Sequence, residues 1–122
     1  MARRTNEQLE NRTTVTAKVK WIKVTKSDPH FPTFDDSFFF MLQENNETRY
    51  LYFNLADETS GWVYTLVSGL LTEKDVVVEI DEEDNKRRFT YAEAWWNAGG
   101  LGQIPMCIQP VDCLLATNVG TP

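Results

Sequence analysis

The sequence predicts a mainly β fold: a five-stranded barrel of the OB type, with one helix between its third and fourth strands. Three observations predict it. The patterned segments come in the order β-β-β-α-β-β within 122 residues. The first strand-like run is long and switches face at Trp21-Ile22, as a strand must if it bulges and bends to serve both sides of a barrel. The one stripe of helical period falls after the third strand-like run.

Residues 1–12 are polar and charged and read as a lead-in outside the barrel domain, which spans residues 13–115. Strand 1 covers about Thr13 to Thr25. Val15, Ala17, Val19 and Trp21 alternate with Thr16, Lys18 and Lys20, and Ile22 and Val24 carry on after the switch. A loop with two prolines, Pro29 and Pro32, leads to strand 2, Ser37 to Gln43, whose core Phe38-Phe39-Phe40-Met41-Leu42 is apolar throughout. Glu44 to Glu47 is a polar hairpin turn. Strand 3, Thr48 to Leu55, puts Leu51, Phe53 and Leu55 on one face and Tyr50 and Tyr52 on the other.

The helix comes next, with Asp57, Thr59 and Ser60 as N-cap candidates. Trp62, Val63, Leu66, Val67 and Leu70 make one apolar stripe over about three turns, so Trp62, Leu66 and Leu70 are expected to be buried. Strand 4, Asp75 to Ile80, turns Val76, Val78 and Ile80 inward. Asp81 to Lys86 reads as a charged hairpin turn into a fifth strand that starts near Arg87 and carries Phe89 and Tyr91. Ile104 to Ile108 has the pattern of a last short strand, and residues 116–122 read as a loose tail.

Composition narrows the function classes. Hydrophobic residues make up 42% of the chain and aromatic residues 12%, enough apolar material for a real core, so disorder is not expected. No apolar run approaches the roughly 20 residues of a membrane span. The first residues carry a basic pair, Arg3-Arg4, without an apolar run behind it, so no secretory leader is expected in the sequence as given, which leaves two readings: a cytoplasmic protein, or one whose leader has been removed. A net charge of −6 disfavours phosphate-backbone binding, which needs a basic face.

No catalytic constellation stands out, and neither a metal nor a cofactor is expected. His30 is the one histidine and lies in a loop with no nucleophile pattern around it. Asp81, Glu82, Glu83 and Asp84 lack the ligand spacing and the glycine of a calcium loop. Lys18, Lys20 and Lys23, with Lys26 beyond, could form a basic stripe beside Tyr50 and Tyr52, the arrangement on which single-stranded nucleic acid stacks; an outward polar face explains the same residues. Trp95 and Trp96 are adjacent, so in a strand they point to opposite faces; one left exposed could stack on a sugar, and packing of both in the core explains the same pair. Cys107 and Cys113, with five residues between them, suit either a small disulfide loop or two thiols.

In order along the chain, several pieces resemble the receptor-binding subunits of pentameric AB-type bacterial toxins, the subtilase cytotoxin and typhoid toxin type, over about residues 34–113. Phe34-Asp35-Asp36-Ser37-Phe38-Phe39 resembles that family's entry to strand 2. Ser60-Gly61-Trp62, with Leu66 and Leu70-Leu71, is similar to its Trp-led helix. Val76 to Ile80 resembles the family's strand after that helix. Thr90-Tyr91, Ala98 to Gly102 and the pair Cys107 and Cys113 resemble its Thr-Tyr, its Ala-Leu-Val-Gly segment and its closely spaced cysteines. The resemblance implies a non-enzymatic, secreted, ring-forming subunit, a homo-oligomer and specifically a pentamer, that binds sialylated glycans. It implies sugar contacts at Thr13 or Thr14, Gln43 and Asn46. Met41 and Phe53 stand in the region where the family pairs cysteines, and its lysine near the hairpin is not present.

These residues leave two function classes. The first is a carbohydrate-binding, toxin B subunit-like module with Thr13, Thr14, Gln43, Asn45 and Asn46 as hydrogen-bonding groups and Trp95 or Trp96 as a stacking surface. The second is a cytoplasmic OB-fold protein, such as a phage or mobile-element accessory, that binds single-stranded nucleic acid or a protein partner.

Overall fold

The structure, a computed structural model of the chain, describes residues 12–25, 36–81, 87–89, 101–102 and 111–122. Its elements are β1 (Arg12–Thr25), β2 (Ser37–Glu44), β3 (Glu47–Asn54), a 3-10 turn (Asp57–Thr59), α1 (Ser60–Thr72), β4 (Asp75–Asp81), β5 (Arg87–Phe89), β6 (Leu101–Gly102) and β7 (Val111–Gly120). Five of the strands close a barrel in the order β1-β2-β3-β7-β4 and back to β1. Every pairing in it is antiparallel except β3 with β7, which is parallel. This is the OB layout, and α1 lies between β3 and β4 as the sequence predicts.

β1 closes the barrel by serving two neighbours. Arg12 to Lys18 pair with β4, and Lys18 to Thr25 pair with β2. The register shifts between Val19 and Trp21, which leaves Lys20 as the extra residue of a bulge, one position before the expected switch. Val15, Ala17 and Val19 face the barrel interior, Trp21 faces out, and Ile22 faces in again.

The interior is filled from every wall. Phe38, Phe40 and Leu42 of β2 meet Leu51 and Phe53 of β3, and Val76, Val78 and Ile80 come from β4. α1 closes one end of the barrel with Leu66, which is 0% exposed. Trp62 and Leu70, expected to be buried, are only half-buried at the helix margin. Trp62 still packs edge-on against Phe53, with ring centroids 5.3 Å apart at 86°. Thr59 is the N-cap residue of α1, and its hydroxyl accepts from the Ala56 N–H at 2.9 Å. At the other end Glu73 takes the left-handed conformation, φ 57°, and stops the helix.

A second cluster lies on the outer face of the same wall: Trp21, Phe39, Met41, Tyr52 and Cys113, with Tyr50 and Leu115 against it. Strand 2 is apolar throughout because both of its faces are buried, one in each cluster.

The fifth strand is corrected. Arg87–Phe89 is a strand, and it pairs with β7 rather than with β4. Asp81 pairs with Leu115 and Arg87 with Cys113, so β5 continues along β7 where β4 leaves off, and β4 and β5 are not the arms of a hairpin. The barrel strand is β7, which runs to Gly120 with Ala116 and Val119 buried. Residues 116–120 are therefore wall, not loose tail, and the barrel domain extends past residue 115. Thr117 is the bulged residue of the β4–β7 ladder, and its hydroxyl donates to Glu79 Oε1 at 2.8 Å. The lead-in through residue 11, the loop with His30, Tyr91 and the expected strand at Ile104 to Ile108 lie outside the described residues. No helix among the described residues is long and apolar enough to cross a membrane.

Candidate functional site

The bend in β1 opens a cleft beside the β2–β3 hairpin. Lys18 is the residue at which β1 passes from β4 to β2, pairing with Asp75 on one side and Gln43 on the other. The Lys20 bulge then turns β1 away. A cleft of about 370 Å³ lies at this junction, lined by Thr16, Lys18, Lys20, Gln43, Glu44, Asn45 and Asp75. The hairpin is tight: Glu44 pairs with Glu47, and Asn45 adopts φ 53°, a conformation that Asn tolerates better than most residues. Gln43 and Asn45 are thus carried by paired strand and a fixed turn rather than by a long loop.

Lys18 organises the floor. Its Nζ donates to the carbonyl of Glu73 at 2.8 Å and lies 3.4 Å from Asp75 Oδ1. The first contact places a cation at the C-terminus of α1, where the helix dipole favours it. The second orients Asp75 at the cleft margin. Lys18 and Asp75 are about half exposed, at 48% and 49%, so a ligand can reach both.

The sequence-predicted site divides. Gln43 and Asn45 line the cleft, while Asn46 is exposed at the hairpin tip and does not. Thr13 and Thr14 pair with Ile80 and Glu79 on the far half of β1. At about 3.3 Å per residue they stand roughly 13–17 Å before Lys18, too far to share this cleft. Trp95, Trp96 and Cys107 lie outside the described residues; Cys113 is buried in the outer cluster. Thr16, Lys18 and Asp75 join the site through strand pairing, and Lys20 through the bulge.

Tyr50 and Tyr52 offer no open stacking surface beside the lysines, and Lys26 lies outside the described residues. Tyr52 is 4% exposed and Tyr50 half-buried, packed with Trp21, Phe39 and Met41. Lys18 is engaged by Glu73 and Asp75, and burial of Lys23 lowers its pKa by penalising the charged form. Among the described residues no group of three His, Cys, Asp or Glu side chains comes together as a metal site. Family models, curated proteins and solved structures give no match to this chain.

Proposed function

We propose that this chain is a non-enzymatic binding module that holds a glycan in the cleft beside the β2–β3 hairpin and works as part of a homo-oligomeric ring, a pentamer, like the toxin receptor-binding subunits it resembles. The observation that supports the glycan reading is the cleft lining. Two side-chain amides, a threonine hydroxyl, two ammonium groups and two carboxylates converge on about 370 Å³. Sugar hydroxyls each donate and accept, and a mixed lining of this kind satisfies both. Lys20, in the same lining, also suits an acidic sugar. The competing oligonucleotide reading asks for exposed aromatics on the β1–β3 face, and Tyr52 is buried there. The ring reading is supported by Val24 and Leu101, large apolar side chains left exposed on the paired strands β1 and β6, and by exposed Leu71 on α1. An assembly would cover such surfaces.

A glycan array and a single-stranded DNA titration, run side by side at low and moderate salt, test the ligand. The expected result is glycan binding that falls in Gln43→Ala and Asn45→Ala, with no DNA binding. Salt-sensitive DNA binding with a silent array would overturn the reading in favour of the nucleic-acid class. Native mass spectrometry tests the ring: a multiple of the 14.1 kDa chain, five for a pentamer, is expected, and a clean monomer at micromolar concentration removes the assembly.

A further inference from the structure

We infer that the glycan site has a second subsite, in the groove between α1 and the start of β4, and that its ligand is an oligosaccharide long enough to span both. The inference rests on the glycan reading of the hairpin cleft and extends it to a surface which that reading does not use.

The groove measures about 390 Å³. Tyr64 stands at its rim, Ser68 and Gly69 lie along α1, and Lys74, Asp75 and Val76 form the other side. Asp75 lines this groove and the hairpin cleft alike, so the two depressions share this residue as a common wall. Its carboxylate is already oriented, with Oδ1 3.4 Å from Lys18 Nζ, and remains about half exposed. It can accept hydroxyl hydrogen bonds from a ligand on either side.

The groove differs from the cleft in chemistry. Tyr64 is 76% exposed, the most exposed large apolar side chain among the described residues. An aromatic ring held open at the rim of a depression offers its π face to the C–H face of a sugar ring. The hydroxyls of Thr65 and Thr72 donate to the carbonyls of Gly61 and Ser68 at 2.9 and 2.7 Å. Their hydrogens are committed to the helix, so toward a ligand they only accept. The groove therefore suits a sugar unit lying flat on Tyr64, with its hydroxyls turned to Asp75 and Lys74, while the hairpin cleft takes its neighbour through amides and charges. Each depression alone is near the lower end of the roughly 300–1,000 Å³ of ligand pockets. Two such depressions on either side of one residue suit neighbouring units of an oligosaccharide rather than a single sugar.

The test is a glycan array of mono- to hexasaccharides, read with the full chain, Tyr64→Ala, Tyr64→Phe and Gln43→Ala. Tyr64 is exposed, so its substitution spares the fold. The expected result is that Tyr64→Ala weakens binding of tri- and longer saccharides by roughly three- to tenfold and leaves mono- and disaccharides unchanged. Tyr64→Phe keeps the ring and restores the longer ligands, and Gln43→Ala weakens all lengths. Glycan binding that depends on Gln43 and ignores both Tyr64 and ligand length would overturn the second subsite while leaving the glycan reading intact. Silence of the unaltered chain on every saccharide would overturn both.

Discussion

Gly69 offers the sharpest test of how α1 sits on the barrel. It lies within the helix, where glycine is worth about 1 kcal/mol less than alanine, so Gly69→Ala on an unencumbered helix would stabilise the protein by that amount. The packing opposes it. A Cβ at residue 69 would stand 2.9 Å from Val76 Cγ1, and the Val19 Cγ2 methyl is 3.6 Å away. Val76 is buried in a strand and β-branched, with little rotamer freedom to move aside. Overpacking of this kind costs about 1–3 kcal/mol, which outweighs the propensity gain and leaves a net loss of about 1 kcal/mol. For a chain of this length that is a drop of roughly 3–5 °C in melting temperature. Urea unfolding followed by circular dichroism measures it. The Val76→Ala background removes Cγ1, and there Gly69→Ala is expected to become stabilising, with a coupling of about 1–3 kcal/mol between the two sites. Stabilisation by Gly69→Ala alone, or simple additivity with Val76→Ala, would refute the close approach of helix and strand.

Three further outcomes are expected. Leu66→Ala leaves a cavity in the barrel end and costs about 2–5 kcal/mol by urea unfolding; a change under about 0.5 kcal/mol would mean that the helix stripe faces solvent. Gly102 pairs with Trp21 at φ 103°, and a Cβ there would collide with the Lys20 carbonyl, so Gly102→Ala should detach β6 and speed amide hydrogen exchange at its pairing with β1. Burial lowers the Lys23 pKa, so the unfolded chain binds its proton more readily just below the ordinary lysine value, and stability rises with pH through that window; Lys23→Met should remove that rise, read as the difference between two pH–stability curves.

What was legible in the sequence was what depends on one strand or one helix at a time. Val76, Val78 and Ile80 alternate with polar or half-buried neighbours, and all three face the interior. The face switch in β1 showed within one residue of the Lys20 bulge, because a bulge changes the parity of the apolar pattern. β7 was hidden for the same physical reason. Cys113 and Leu115 belong to the outer cluster and Leu114 and Ala116 to the inner one, so its first part has no alternation. The Thr117 bulge then sets Ala116 and Val119 on the same side although they are three residues apart, which no period of two can match. With its polar end, such a stretch looks like a tail. The site divides in the same way. Gln43 and Asn45 were legible because a tight turn places them locally. The pairing of Lys18 with Asp75 was not, since residues 57 positions apart in the chain meet only once the β1–β4 register is fixed. Thr13 and Thr14 fail on that same register: being near the start of β1 sets them beside the end of β4, whereas the cleft forms where β4 begins. A site built at the handover of one strand between two neighbours is therefore defined by register, and Lys18, where the handover occurs, is the residue through which hairpin cleft, helix end and Asp75 are joined.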